Sequence, residues 1–363
     1  MPQSLGIDPP EGNRAEKPHQ PLDERRRAPT LRAMLKHAGR ALAAFTLLYV
    51  SFVAAGGVMA GVGSKPPRGA QVDIGEGRTL RLVCEGEARA DRPTVWLEAG
   101  AFGFAADWGA TQDALAAAGW RTCAYDRAGM GYSPPGPAPR DGLAIVTDFE
   151  KLVAASGEKG PFILVGHSMA GLRLREYAGR NPSQVAGLVL VDAATPEAAQ
   201  LRRAKSFINS FVFASRAAAL GASAGLYKPL VYTRLGDKIG LPPDAKAEKR
   251  WGFANGRHNR TSAAEVSLWA ESSAQAGAEP PFAPEWPVAV VTAGARVGDR
   301  VQWKDMQAAP AQASQHGYVD HVAGASHTRL LGGEFADHIV RAVEFVAAER
   351  GKPAQALVDV TAP

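Results

Sequence analysis

A hydroxyl attacks a carbonyl carbon efficiently only when a base within hydrogen-bond reach removes its proton and a carboxylate orients that base. In ILVGHSMAGL (163–172) an apolar run, Phe162–Val165, leads into Gly166-His167-Ser168-Met169-Ala170-Gly171, and a helical pattern, Leu172–Arg180, follows at once. Strand, sharp turn and helix in that order present a serine at the head of a sheet on a strained backbone. Small residues two places before and two after Ser168 let strand and helix approach, and Ala170 stands where the G-x-S-x-G pattern has its second glycine. The chemistry to expect is acyl transfer through Ser168. The competing reading is an ordinary serine in a glycine-flanked loop, and its partners decide between the two.

Four late histidines could serve as the base: His316, His321, His327 and His338. His321 lies inside an apolar run and reads as a packed core histidine. His316 sits in the preceding turn and reads as solvated, while His338 falls in the amphipathic FADHIVRAVEFVAA and reads as a surface residue. His327 follows the apolar run in a loop of small residues, AGASHT. Two carboxylates compete for the third role. Asp192 ends VAGLVLVDA, and Asp299 follows PVAVVTAG after several residues. The residues alone do not choose between them, and the competing reading of Asp192 is a strand-end aspartate that caps a turn or the next helix.

A scaffold must bring these residues together, and the chain after residue 70 alternates strand-like and helix-like stretches. Short apolar runs such as TVWLEAG (94–100), RTCAYDRAG (121–129) and PVAVVTAG (287–294) alternate with helical patterns such as GLAIVTDFEKLVAAS. Near-continuous apolar strands predict a mainly parallel sheet with both faces covered by helices. QVDIGEGRTLRLVCEG predicts a hairpin, with Gly75 and Gly77 framing its turn. Residues 196–285 break the rhythm with helical patterns alone and read as an insertion over the carboxyl edge of the sheet.

Several stretches now combine: LEAGAFG after the third strand, YDRAGMGYS after the fourth, VGHSMAG after the fifth, LVLVDAATPE after the sixth and GASH after the eighth. In that order they resemble the α/β-hydrolase family, from about Gln71 to Glu349, and look most like its Ser-dependent members with a helical cap. The resemblance implies an α/β fold with a mostly parallel eight-stranded sheet, helices on both faces and a cap insertion. It implies His327 as the base. It implies an acid close to Gly294, where this chain has none before Asp299, or at Asp192, where some lipases of this fold carry theirs; Asp192 is preferred and Asp299 is the alternative. It implies oxyanion donors at the backbone N–H groups of Met169 and Ala101, with Ala99-Gly100 replacing the His-Gly of many relatives. Asp126 and Arg127 are implied to be structural, holding a glycine-rich loop beside the site. Serine at the elbow departs from the dehalogenase and epoxide-hydrolase branches, which use aspartate there. Cys84 and Cys123 fall on neighbouring strands of the implied order. Two small buried thiols are the preferred reading, with a cross-strand disulfide as the alternative.

The fold does not choose a substrate. The expected activity is hydrolysis of a carboxylic ester of a small molecule, an acyl or lipid compound among them, through an acyl-enzyme. The alternatives are amide or peptide hydrolysis or another acyl transfer, and, from another class, a catalytically silent binding protein. Metal-ligand spacing and a phosphate-binding glycine loop are both missing from the sequence, so no cofactor and no metal is expected. The formal charge of +5 suggests a basic partner surface, yet zinc-finger, helix-turn-helix and aromatic-basic RNA patterns are lacking, so nucleic acid is not expected.

The charge has a different explanation. Arg25, Arg26, Arg27, Arg32, Lys36 and Arg40 are interrupted by no acid, and Ala41–Ser64 then runs without an ionisable side chain except Tyr49. About twenty apolar residues match a bilayer core of about 30 Å. The cation excess before the run places the N-terminus in the cytoplasm and the catalytic domain outside. A cleaved signal peptide and a buried core helix are the competing readings. The predicted organisation is a disordered basic tail (1–40), a single transmembrane anchor (41–64), a first core segment (70–195), a helical cap (196–285), a second core segment (286–350) and a flexible tail (351–363). In the cap, SFINSFVFASRAAALGASAGLYKPLVY has only Arg216 and Lys228 as charges and predicts either an acyl cleft or bilayer contact, against simple packing on the core.

Overall fold

The computed structural model describes residues 30–61, 66–198 and 202–360; the side chains of residues 59–61, 202–204 and 299 lie outside that description. The chain divides into two units, residues 1–51 and 52–363. Helix α1 (Leu31–Gly61) is long and apolar enough to cross a membrane, and its side chains are mostly exposed. It begins ten residues before the predicted anchor, because Leu31, Met34 and Leu35 continue the apolar pattern among the cations. Residues 1–29 of the expected basic tail lie outside the described residues.

In the second unit, β1 (Ala70–Asp73) and β2 (Thr79–Glu85) form the predicted antiparallel hairpin. Gly75, Glu76 and Gly77 all have positive φ in its turn, which explains two glycines in three residues. The following strands are β3 (Val95–Glu98), β4 (Thr122–Tyr125), β5 (Phe162–His167), β6 (Val185–Val191), β7 (Val288–Ala293) and β8 (Gly317–Val322). They form one sheet in the order β1-β2-β4-β3-β5-β6-β7-β8, parallel from β4 onward. Val358–Asp359, within the expected flexible tail, adds a ninth short strand, β9, parallel to β8.

Helices α2 (Gly109–Ala117) and α10 (Ala336–Glu349) pack together on one side of the sheet. Helices α3 (Gly142–Ser156), α4 (Ala170–Arg180) and α9 (Val301–Ala313) complete the layers. Two apolar clusters, one on each face, enclose strands buried along their whole length, such as β5, β6 and β8. The burial explains why these strands read as unbroken apolar runs. The insertion folds as α5 (Arg202–Ser223), α6 (Pro243–Ala254), α7 (Gly256–Ser267) and α8 (Trp269–Ala278), with no strand among its described residues.

Cys84 and Cys123 are directly opposite in the β2–β4 ladder and are joined in a disulfide. The preferred reading of two free thiols is therefore corrected: antiparallel register places the two sulfurs face to face, which composition and burial tendency do not reveal.

Candidate active site

Ser168 sits between β5 and α4 with φ of 58°, a left-handed conformation that costs a non-glycine residue about 1–3 kcal/mol. Neighbours leave it little alternative. A Cβ on Gly166 would lie 2.6 Å from Leu174 Cδ1 of the helix, and one on Gly100 would lie 2.7 Å from Ser168 Cβ. The Ser168 N–H donates to the Val191 carbonyl at 3.2 Å, and the Ser168 carbonyl accepts from Gly171 at 3.1 Å and Ala194 at 2.8 Å. The turn is thus bonded to the end of β6 and to the segment that carries Asp192.

Asp192 also has positive φ, 43°. One carboxylate oxygen, Oδ2, accepts from His327 Nδ1 at 2.6 Å. The other, Oδ1, accepts from Gln307 Nε2 at 2.9 Å and the Ala293 N–H at 3.3 Å, with Lys304 Nζ 3.6 Å away. Burial alone would raise this carboxyl. The hydrogen bond and charge of His327, followed by Lys304 and Gln307, outweigh it and hold Asp192 well below the usual carboxylate range. A carboxylate accepts only, so His327 carries its proton on Nδ1 and offers a bare Nε2. The His327 side chain is half-exposed, open to water.

His167 supports the histidine from beneath. It is buried, and burial, with the nearby His327 charge, pushes its imidazole down to about 3. It is therefore neutral, and its Nε2–H donates to the His327 carbonyl at 2.9 Å. Ser168, Asp192 and His327 line one cavity of about 590 Å³, together with Phe207, Ile208 and Phe211 of α5, Trp269 of α8 and Trp303 of α9.

Met169 is buried at the start of α4, and Ala101 is half-buried after β3. Among the described residues neither N–H has an acceptor. The 99–102 loop is held from several sides. Arg127 donates to the carbonyls of Ala99 (2.8 Å) and Gly100 (3.0 Å) and pairs with Glu98 and Glu265. Arg173 pairs with the same Glu98. Phe102, with φ of 57°, donates its N–H to Ser262 Oγ at 2.8 Å and accepts from Lys249 Nζ at 3.0 Å. Asp126 accepts from the Ala105 and Tyr132 N–H groups, at 2.9 and 2.8 Å, and from Arg81. Asp126 and Arg127 thus hold backbone beside the cavity.

The other histidines lie elsewhere. His321 is buried in β8, its Nδ1 2.6 Å from the Thr292 hydroxyl. His316, expected in solvent, is buried instead beside Glu349 of α10, 3.3 Å away, because α10 covers the start of β8. His338 is half-buried and bonded to Asp320 at 2.6 Å. The Asp299 side chain lies outside the described residues. Sequence reasoning missed His167, Lys304, Gln307, Lys249, Ser262 and Glu265; polar residues scattered over helices carry no spacing signal.

A family model described as the alpha/beta hydrolase fold matches residues 93–223. The epoxide hydrolase CorEH, without ligand, superposes with a TM-score of 0.58 at 18% identity, covering 77% of this chain and 99% of that one. An esterase of Thermogutta terrifontis, malate bound, gives 0.54 at 17% identity over 77% and 98%. The chain has the α/β-hydrolase fold. Likeness at this identity concerns the fold of the core and cap. Among curated proteins, the probable transporter efuK of Hormonema carpetanum is 34% identical over 128 residues, which is 34% of this chain and 18% of efuK. The chain spans less than half the length of the curated relatives it matches. Helices α5 to α8 follow the sixth strand and precede the seventh.

Proposed function

We propose that this protein is a membrane-anchored serine hydrolase that cleaves carboxylic esters. Ser168 Oγ attacks the ester carbonyl while His327 Nε2 takes its proton; the tetrahedral oxyanion is held by the Met169 and Ala101 N–H groups. His327 then protonates the leaving alkoxide. Water, activated by the same Nε2, attacks the acyl-enzyme and releases the acid. Asp192 stays ionised throughout and stabilises the imidazolium.

The observation that carries the reading is the 2.6 Å His327 Nδ1–Asp192 Oδ2 bond in the same cavity as a strained Ser168. The five apolar cap and core side chains lining that cavity favour an ester with an apolar acyl group, and the volume is in the range of small-molecule sites. Serine at the elbow favours ester over epoxide chemistry, since the resemblance to epoxide hydrolases implies an aspartate there. For the anchor, α1 and the cation excess before it support a single span with the catalytic domain outside. The Cys84–Cys123 disulfide agrees with an oxidising compartment.

The test is hydrolysis of p-nitrophenyl esters from acetate to palmitate by the full chain in detergent, with Ser168→Ala alongside, and labelling by a fluorophosphonate. Serine-dependent turnover and labelling are expected. An unlabelled, inactive wild type would leave the silent binding protein as the reading.

A further inference from the structure

Outside the cavity that Ser168 lines, the exposed face of α5 combines large apolar groups with cations. We propose that α5 and the segment after it form a docking surface for an anionic lipid bilayer. This inference rests on the membrane anchor proposed above and not on the serine chemistry.

Residues 198–236 contain Arg202, Arg203, Lys205, Arg216, Lys228 and Arg234 and no acid; Glu197 and Asp237 bracket them. Phe213 and Leu220 are 78% and 73% exposed, and Leu226 and Leu235 are exposed beyond the end of α5. At 100° per residue, Lys205, Arg216, Phe213 and Leu220 fall within about 80° of one another. An adjoining side, with Ile208, Ser215, Ala219 and Ala222, is buried. The helix therefore has one face for the protein and another that combines large apolar groups with cations. Lys205, Arg216 and Arg234 are exposed, and among the described residues none has a carboxylate within ion-pair distance.

That combination suits an interface with anionic headgroups, where rings and leucines enter the acyl boundary and cations meet phosphates. A protein partner for the apolar groups alone would not require thirty-nine residues free of acid. Geometry also favours a bilayer. Only eight residues separate α1 from β1, so the start of β1 lies within about 30 Å of the end of α1. Phe207, which lines the cavity, stands about 160° around α5 from the centre of this face, so the docking face and the cavity use different sides of the helix.

The test uses the full chain, reconstituted through its own anchor into phosphatidylcholine vesicles with or without phosphatidylglycerol. Nitroxides are placed at Phe213→Cys and Leu220→Cys, with Lys159→Cys, exposed beyond α3, as the reference. Power saturation then compares access of oxygen with access of a water-soluble nickel chelate. With phosphatidylglycerol, the oxygen-to-nickel ratio at 213 and 220 is expected to rise several-fold over detergent, while 159 stays aqueous. Lys205→Glu and Arg216→Glu are each expected to weaken docking about fivefold. Aqueous labels at 213 and 220 in anionic vesicles would overturn the proposal. So would spin–spin broadening that persists in detergent, which would assign the face to a second copy of the chain.

Discussion

Replacing Asp192 by asparagine tests the site where the two candidate acids differ. The carbonyl of the introduced amide can keep the bonds that Gln307 Nε2 and the Ala293 N–H make to Oδ1, because both donate to that oxygen. The amide nitrogen then occupies the Oδ2 position, 2.6 Å from His327 Nδ1. Two donors cannot face each other, so His327 shifts its proton to Nε2, the atom that must accept from Ser168. The wrong tautomer costs serine hydrolases about 10⁴ in kcat, or about 5.5 kcal/mol of barrier. Asp192→Asn should therefore lower kcat on a p-nitrophenyl ester by about that factor with KM little changed, and slow fluorophosphonate labelling in parallel. Lys304 loses part of its counter-charge, so thermal unfolding is measured alongside to exclude misfolding. Asp299→Asn should stay near wild type. An Asp192→Asn enzyme within about tenfold of wild type, or a collapse in Asp299→Asn, would refute the assignment.

Reducing the Cys84–Cys123 bond opens a loop of 39 residues, which the chain-entropy model values at about 4 kcal/mol; denaturant titration with and without reductant should show a loss of that order. Burial pushes the Glu176 carboxyl up to about 7, so the folded state holds a proton that the unfolded chain releases above its ordinary value of 4.5. The favourable state is thus fully present below 4.5 and lost as pH rises toward 7, and Glu176→Gln should raise Tm at pH 8 while leaving it unchanged at pH 4. Ser262→Ala and Glu265→Gln should each lower kcat more than they raise KM, read from steady-state kinetics, because both residues act on the 99–102 loop; a pure KM effect would assign them to substrate binding.

What the sequence revealed depended on how local the cause was. The Ser168 turn was legible because its determinants, Gly166 and Ala170, lie within two residues of it and work by removing side-chain atoms. The strands were legible because burial on both faces leaves a run of apolar residues. The choice between Asp192 and Asp299 was open, since the bond to His327 spans 135 residues and depends on how the ends of β6 and β8 approach. The disulfide failed for a related reason. Cys84 and Cys123 are 39 residues apart, and only the antiparallel register of β2 on β4 sets them opposite. His316 was misread because a turn residue looks solvated until α10 is known to cover it.

The residues hardest to foresee share one task. Lys249, Ser262 and Glu265 all belong to the cap, and each acts on the loop that carries Ala101. Ser262 takes the Phe102 N–H and Lys249 its carbonyl, so a left-handed Phe102 is fixed on both sides of its peptide units. Glu265 anchors Arg127, whose remaining N–H groups hold the carbonyls of Ala99 and Gly100. With those carbonyls turned toward Arg127, the next amide is left to point elsewhere, and Ala101 N–H has no acceptor among the described residues. An oxyanion donor is useful only if it is oriented before the charge develops. For the donor proposed at Ala101, that orientation would come from α6 and α7 as much as from the sheet.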